Sequence, residues 1–195
     1  MQFVLIKIIF AIFAVLGVAQ FGYAAVGKTA GGTKIEDLRA PDLPAACQNI
    51  EAPAGHKVSF RVYAVGVQVY RWNGGGWDFV APVANLYANE NYRGEVGFHY
   101  AGPTWESSSG SKVVARRVSG CSPDSNAIPW LLLQTTATDG VGIFRDVTYV
   151  QRVNTVGGLA PATPGEFVGR EARVPYTTEY YFYRARRIDR NSNEY

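Results

Sequence analysis

The stretch 57-KVSFRVYAVGVQVYRW-72 decides the fold class. Val58, Phe60 and Val62 stand opposite Ser59, Arg61 and Tyr63, the period of two that marks a half-buried strand. Val65, Val67 and Val69 repeat the pattern against Gln68 and Tyr70, so 65–72 reads as a second strand with its valines on the buried side. The turn signal NGGG (73–76) follows, then WDFV (77–80) as the returning strand.

Strand signals continue on either side of polar loops. Residues 96–100 and 112–118 read as strands around a Gly-Pro turn and a Ser/Gly-rich loop, and 172–176 and 179–184 close the series. The clearest hairpin joins 128–138 to 141–153 across Asp139-Gly140, a dipeptide suited to a type I′ turn, with Trp130 facing Tyr149 and Leu132 facing Val147. Trp130–Leu133 is apolar on both faces, which predicts a central hairpin covered on both sides. No segment of about 12 residues shows helical periodicity. The expected architecture is all-β: a single-domain sandwich or closed barrel of about nine or ten mostly antiparallel strands, preceded by an irregular N-terminal arm.

The first residues belong to a different category. Lys7 precedes the apolar run Ile8–Val18, and Gly22 and Ala24 form the small-x-small pattern of a signal-peptidase site. The expected organisation is a signal peptide over 1–24, cut after Ala24 or Ala25, an arm over 25–54, a β domain over 55–186 and a polar tail over 187–195. The apolar run is too short to span a bilayer, so no transmembrane anchor is expected after cleavage, and the compartment is periplasmic or extracellular. Loss of Lys7 leaves 18 basic against 16 acidic residues. That balance excludes an electrostatic nucleic-acid binder, and the cluster Arg184, Arg186, Arg187 and Arg190 reads as a solvated end. Cys47 and Cys121, the two cysteines of the chain, are expected to pair in an oxidising compartment.

The ordered motifs GFHYAGPTWES (97–107), IPWLLL (128–133), DVTYVQRVNTVGG (146–158) and VPYTTEYYFYR (174–184) resemble the domain of unknown function 3455 family of bacteria and fungi. The resemblance covers about residues 55 to 184. It implies a secreted or periplasmic β-rich domain and carries no activity, so no catalytic residue is transferred from it. Many members of that family place one cysteine after the strand matching 65–70 and another after the Gly-Gly matching Gly157-Gly158. Neither is present here, which leaves Cys47 and Cys121 for any bridge.

Chemistry-bearing residues are sparse. His56 and His99 lack ligand-spaced partners, so no metal and no cofactor is expected, although His99, Glu106 and a third acid would make a minimal mononuclear site. No G-x-S-x-G elbow is present. Of the candidate carboxylates Glu106, Asp139 and Asp146, Glu106 is the most interesting, because Trp105 beside it would shield it. His99, Glu106 and Arg152 form the candidate catalytic set of a hydrolase or lyase-type enzyme. Tyr100, Trp105, Tyr149, Gln151, Asn154 and Tyr176 form the candidate ligand-binding set. The favoured expectation is a module binding a small molecule or glycan, with carbohydrate preferred by analogy with aromatic faces of exported β domains, Trp72 and Trp77 included. An envelope structural or interaction protein is the third reading.

Overall fold

The computed structural model describes residues 39–186. The signal peptide, the start of the arm and the tail from 187 lie outside the described residues. Eight antiparallel strands follow one another in chain order: β1 (His56–Trp72), β2 (Trp77–Tyr87), β3 (Glu95–Tyr100), β4 (Thr104–Ser107), β5 (Lys112–Cys121), β6 (Trp130–Asp139), β7 (Tyr149–Gly157) and β8 (Glu171–Ala185). Each pairs with the next, and β8 returns to pair with β1 along almost its whole length, from His56↔Ala185 to Arg71↔Glu171. The sheet therefore closes into a ring, and no strand is left with a free edge.

Eight strands replace the nine or ten expected. Residues 57–64 and 65–72 are one strand of 17 residues, and 172–184 lies within one strand of 15. Thr104–Ser107 adds a short strand that its turn-rich surroundings conceal. The Asp139-Gly140 hairpin is also corrected. β6 and β7 pair through Leu132↔Gln151 and Gln134↔Tyr149, not Leu132↔Val147, and 140–148 is a loop. Its Phe144 and Val147 are buried in the interior, and the Phe144 N–H donates to Ser111 Oγ. Burial of that phenyl and valine outweighs the turn preference of one dipeptide. Residues 135–139 pair with β5 instead, as in Val113↔Thr138.

The merging of the first two strands inverts a face. In a continuous strand alternate residues stay on one side, so Val62 and Ala64 are followed inward by Gly66 and Gln68. Val65 and Val67 are half-buried on the outside. Val58 also lies outside, beside Tyr183, because a register shift separates it from Phe60. Gly66 and Gly97 permit close strand approach: a Cβ on Gly66 would meet the Val83 carbonyl and Ala84, and one on Gly97 the Glu106 carbonyl.

The ring has an inner and an outer core. Inside, Val62, Ala64, Leu86, Trp105, Val113, Leu133, Val150 and Phe182 form the main cluster. Outside, the short 3₁₀ helix Ala45–Ile50 lays Cys47 and Ile50 over Leu132, Val153, Tyr181 and Tyr183. Trp130–Leu133 is thus covered on both sides, as its composition predicts. The Cys47–Cys121 disulfide, with Cα atoms 5.4 Å apart, ties the arm to the end of β5. It closes a loop of 74 residues and in the chain-entropy account stabilises the fold by about 4 kcal/mol. Such a bridge fits an extracellular or periplasmic protein. Among the described residues no helix is long and apolar enough to cross a membrane.

Candidate functional site

The ring interior changes character along its axis. At one end Phe60 stacks on Phe182 at 4.6 Å, with Phe144 5.1 Å from Phe182 closing the group. The aromatic series continues through Trp105, 6.0 Å from Phe182, to Tyr180 and His99. Beyond these rings a few polar groups join a mainly apolar lining around a cavity of about 320 Å³, a volume near the lower bound of small-molecule sites. Every strand contributes to it: Gln68, Pro82, His99, Trp105, Arg117, Leu133, Arg152 and Tyr180, in order from β1 to β8. The exposed Phe79 and Val80 and the β3–β4 turn Ala101–Pro103 carry the lining to the surface.

His99 is 3 % exposed and stacks on Trp105 with ring centroids 4.4 Å apart. Its Nδ1 lies 2.8 Å from the Thr104 carbonyl, so Nδ1–H donates there and Nε2 is left as the lone-pair nitrogen of the ring. Burial holds its pKa down at about 3, with the Arg152 charge acting in the same direction against the opposing Thr104 bond. The imidazole is therefore neutral at physiological pH. Arg152 is half-buried and donates from Nε and Nη2 to the Pro129 carbonyl, at 3.0 and 2.8 Å. That pair of hydrogen bonds to one backbone oxygen sets the guanidinium's position while leaving it without a carboxylate among the described residues.

Several interior donors have nothing to bond. Among the described residues, Gln68 Nε2, Trp105 Nε1, Tyr176 OH and Tyr180 OH are buried without a hydrogen-bond partner. Tyr176 lies next to Gln68 and Tyr180, and Tyr180 next to Arg152, closely enough to perturb one another's ionisation, yet the hydroxyls and the amide nitrogen do not reach bonding geometry. Burial pushes both phenols up, so both are protonated at any physiological pH. Away from the chamber Thr135 Oγ1 is likewise unpartnered, whereas Gln151 donates to the Ile50 carbonyl and accepts from Tyr183 OH, and Thr178 donates to the Val153 carbonyl.

The expected site residues are divided by the sheet. His99 and Arg152 meet at the cavity. Glu106 follows Trp105 on a strand and so projects from the opposite, outer face. There it accepts from Tyr100 OH at 2.7 Å and lies 3.5 Å from Lys112 Nζ. The set His99, Glu106 and Arg152 is thus not assembled, and Trp105 faces away from the carboxylate it was expected to shield. Of the six ligand candidates, Trp105 lines the cavity and Tyr176 is buried next to it in the interior. Tyr100, Tyr149, Gln151 and Asn154 lie on the outside. Tyr149 and Gln151 pack beneath the arm, and Asn154 donates to Glu179. Trp72 and Trp77 pack edge to face and pin the loop after β7, with Trp77 Nε1 donating to the Thr163 carbonyl and Gly165 against the Trp72 ring.

Sequence reasoning missed Gln68, Arg117 and Tyr180. The legible sign was Gln68, a polar residue at an inward position if 57–72 is a single strand. A larger concavity of about 1,400 Å³ runs beside β6 at the other end, with Lys57, Arg145 and Arg184 on its rim. Those cations are exposed.

The family described as "Protein of unknown function (DUF3455)" matches residues 53–184, and the chain belongs to it. No curated protein and no solved structure matches the chain.

Proposed function

We propose that this member of the family is an exported small-ligand-binding module whose site is the chamber inside the ring. One observation carries the reading: Gln68, Trp105 and Tyr180 line a cavity and bury donors without partners. Each such group costs about 1–3 kcal/mol in the empty protein, and a ligand supplying acceptors recovers that cost on binding. The leader sequence, together with the disulfide, supports export. Carbohydrate, the class expected from the aromatic supply, belongs among the ligands to be tried. The rings that suggested it are largely engaged in packing, Trp105 with His99 and Trp72 with Trp77.

The test takes mature protein from the exported fraction and screens it against a fragment library and a set of monosaccharides by NMR. An N-terminus after Ala24 or Ala25 supports export, whereas recovery only of chains beginning at Met1 overturns it. Ligand-induced shifts at the Trp105 indole and the His99 ring, abolished by filling the chamber with Leu133→Trp, support the site. A natively folded protein that binds nothing in the screen, or whose ligands bind equally well to L133W, overturns it.

A further inference from the structure

The chamber's inventory of donors and acceptors points to a ligand class. Among the described residues two arginines, Arg117 and Arg152, line it, and no aspartate or glutamate does. Among the described residues the ion pairs are Arg61–Glu179, Arg71–Glu171 and Lys112–Glu106, so neither chamber arginine is neutralised. Arg152 spends Nε and Nη2 on Pro129, which leaves Nη1. The unpartnered atoms of the lining, Gln68 Nε2, Trp105 Nε1 and Tyr180 OH, all carry hydrogens to donate. Neutral His99 adds no charge. The remaining wall is apolar, from Pro82 and Pro103 to Leu131 and Leu133.

We infer that the chamber binds a small organic monocarboxylate, its carboxylate held between Arg117 and Arg152 and its apolar body against the proline and leucine wall. This rests on the reading of the chamber as a ligand site and adds the head-group chemistry. A carboxylate supplies acceptors and no donor, the complement of the unsatisfied lining. One negative charge suits a site where one of two guanidiniums is already partly engaged. A neutral polyol would bring hydroxyl donors to a lining with few acceptors. A phosphate would bring a second charge and no apolar body for the wall.

Calorimetry at pH 7.4 with 2-naphthoate and octanoate, each beside its neutral amide, tests the assignment. The acids are expected to bind at least about ten-fold more tightly than the amides, the scale of a charge-assisted contact. Arg152→Gln removes that preference, but it also removes the bonds to Pro129. Arg117→Gln, an exposed position, is the cleaner variant: acid affinity falls toward that of the amide while amide affinity holds. Amides binding as tightly as acids, or an acid preference unchanged in both variants, overturns the carboxylate assignment and leaves the ligand-site reading standing. If none of the four compounds binds, the assignment falls, and the fragment screen decides the wider reading separately.

Discussion

The two ends of the ring interior are built from the same strands and solve different problems. Phe60, Phe144 and Phe182 fill one end with stacked and tilted rings, side chains that carry no polar atom. Two residues further along β7 and β8, and six along β1, come the partners that line or border the chamber. Phe182 gives way to Tyr180, Val150 to Arg152, and Val62 through Ala64 and Gly66 to Gln68. Neighbouring inward positions therefore change from packing groups to hydrogen-bonding groups within about 7 Å per pair of residues. The first end contributes packing; the second holds buried donors without partners.

Paired substitutions sharpen that difference most. Phe182→Ala, at a position with no exposure, is expected to cost about 3–5 kcal/mol in urea unfolding, as a cavity is left among packed rings. Tyr180→Phe keeps the ring against His99 and Trp105 and deletes only an unpartnered hydroxyl. It should leave stability unchanged or raise it by up to about 1 kcal/mol. A loss of more than about 1 kcal/mol in Y180F would show that the hydroxyl is bonded, and the contrast between the ends would fail.

Acid probes the polar end next. His99 titrates at about 3 when folded and near 6.5 when unfolded. The unfolded chain therefore binds more protons between these values, and stability is lost as pH falls through the interval. From pH 6.5 to 4.5 the histidine's share of that loss is on the order of 2–3 kcal/mol. Urea midpoints across this range, compared with those of His99→Gln, isolate the share: the variant's pH dependence should be shallower by that amount. Equal slopes in the two proteins would mean that His99 is not buried neutral.

The smallest effect is expected outside the ring. Glu106→Gln keeps an acceptor for Tyr100 and loses the exposed-side pairing with Lys112, so stability should change by less than about 1 kcal/mol. Binding of any chamber ligand should be unchanged, since the sheet stands between Glu106 and the cavity. A large loss of binding in E106Q would reconnect Glu106 with His99 and Arg152.

Much of the fold was legible. Period-two alternation announces strands from local sequence, because side chains on an extended backbone must alternate. The double-sided apolar run Trp130–Leu133 announced a strand with cover on both faces, and the even pair of cysteines announced the bridge. The site was legible only in fragments. Trp105 and Glu106 are adjacent in sequence, and adjacency on a strand separates them. His99 and Arg152 were both named, but for a set whose third member faces outward.

Sequence alone determined the all-β class, the family and the two cysteines available to pair, because these depend on local periodicity and on residue identity. Tertiary structure alone decided which face of each strand turns inward. Closure of β8 onto β1 makes 56–72 one strand, and its unbroken alternation carries Gln68 to the inside and Val65 and Val67 to the outside. Phe144 leaves the expected hairpin because the ring's end needs an apolar filling. The chamber exists because eight strands, distant in sequence, each bring one inward position to the same place, and no local pattern encodes that convergence.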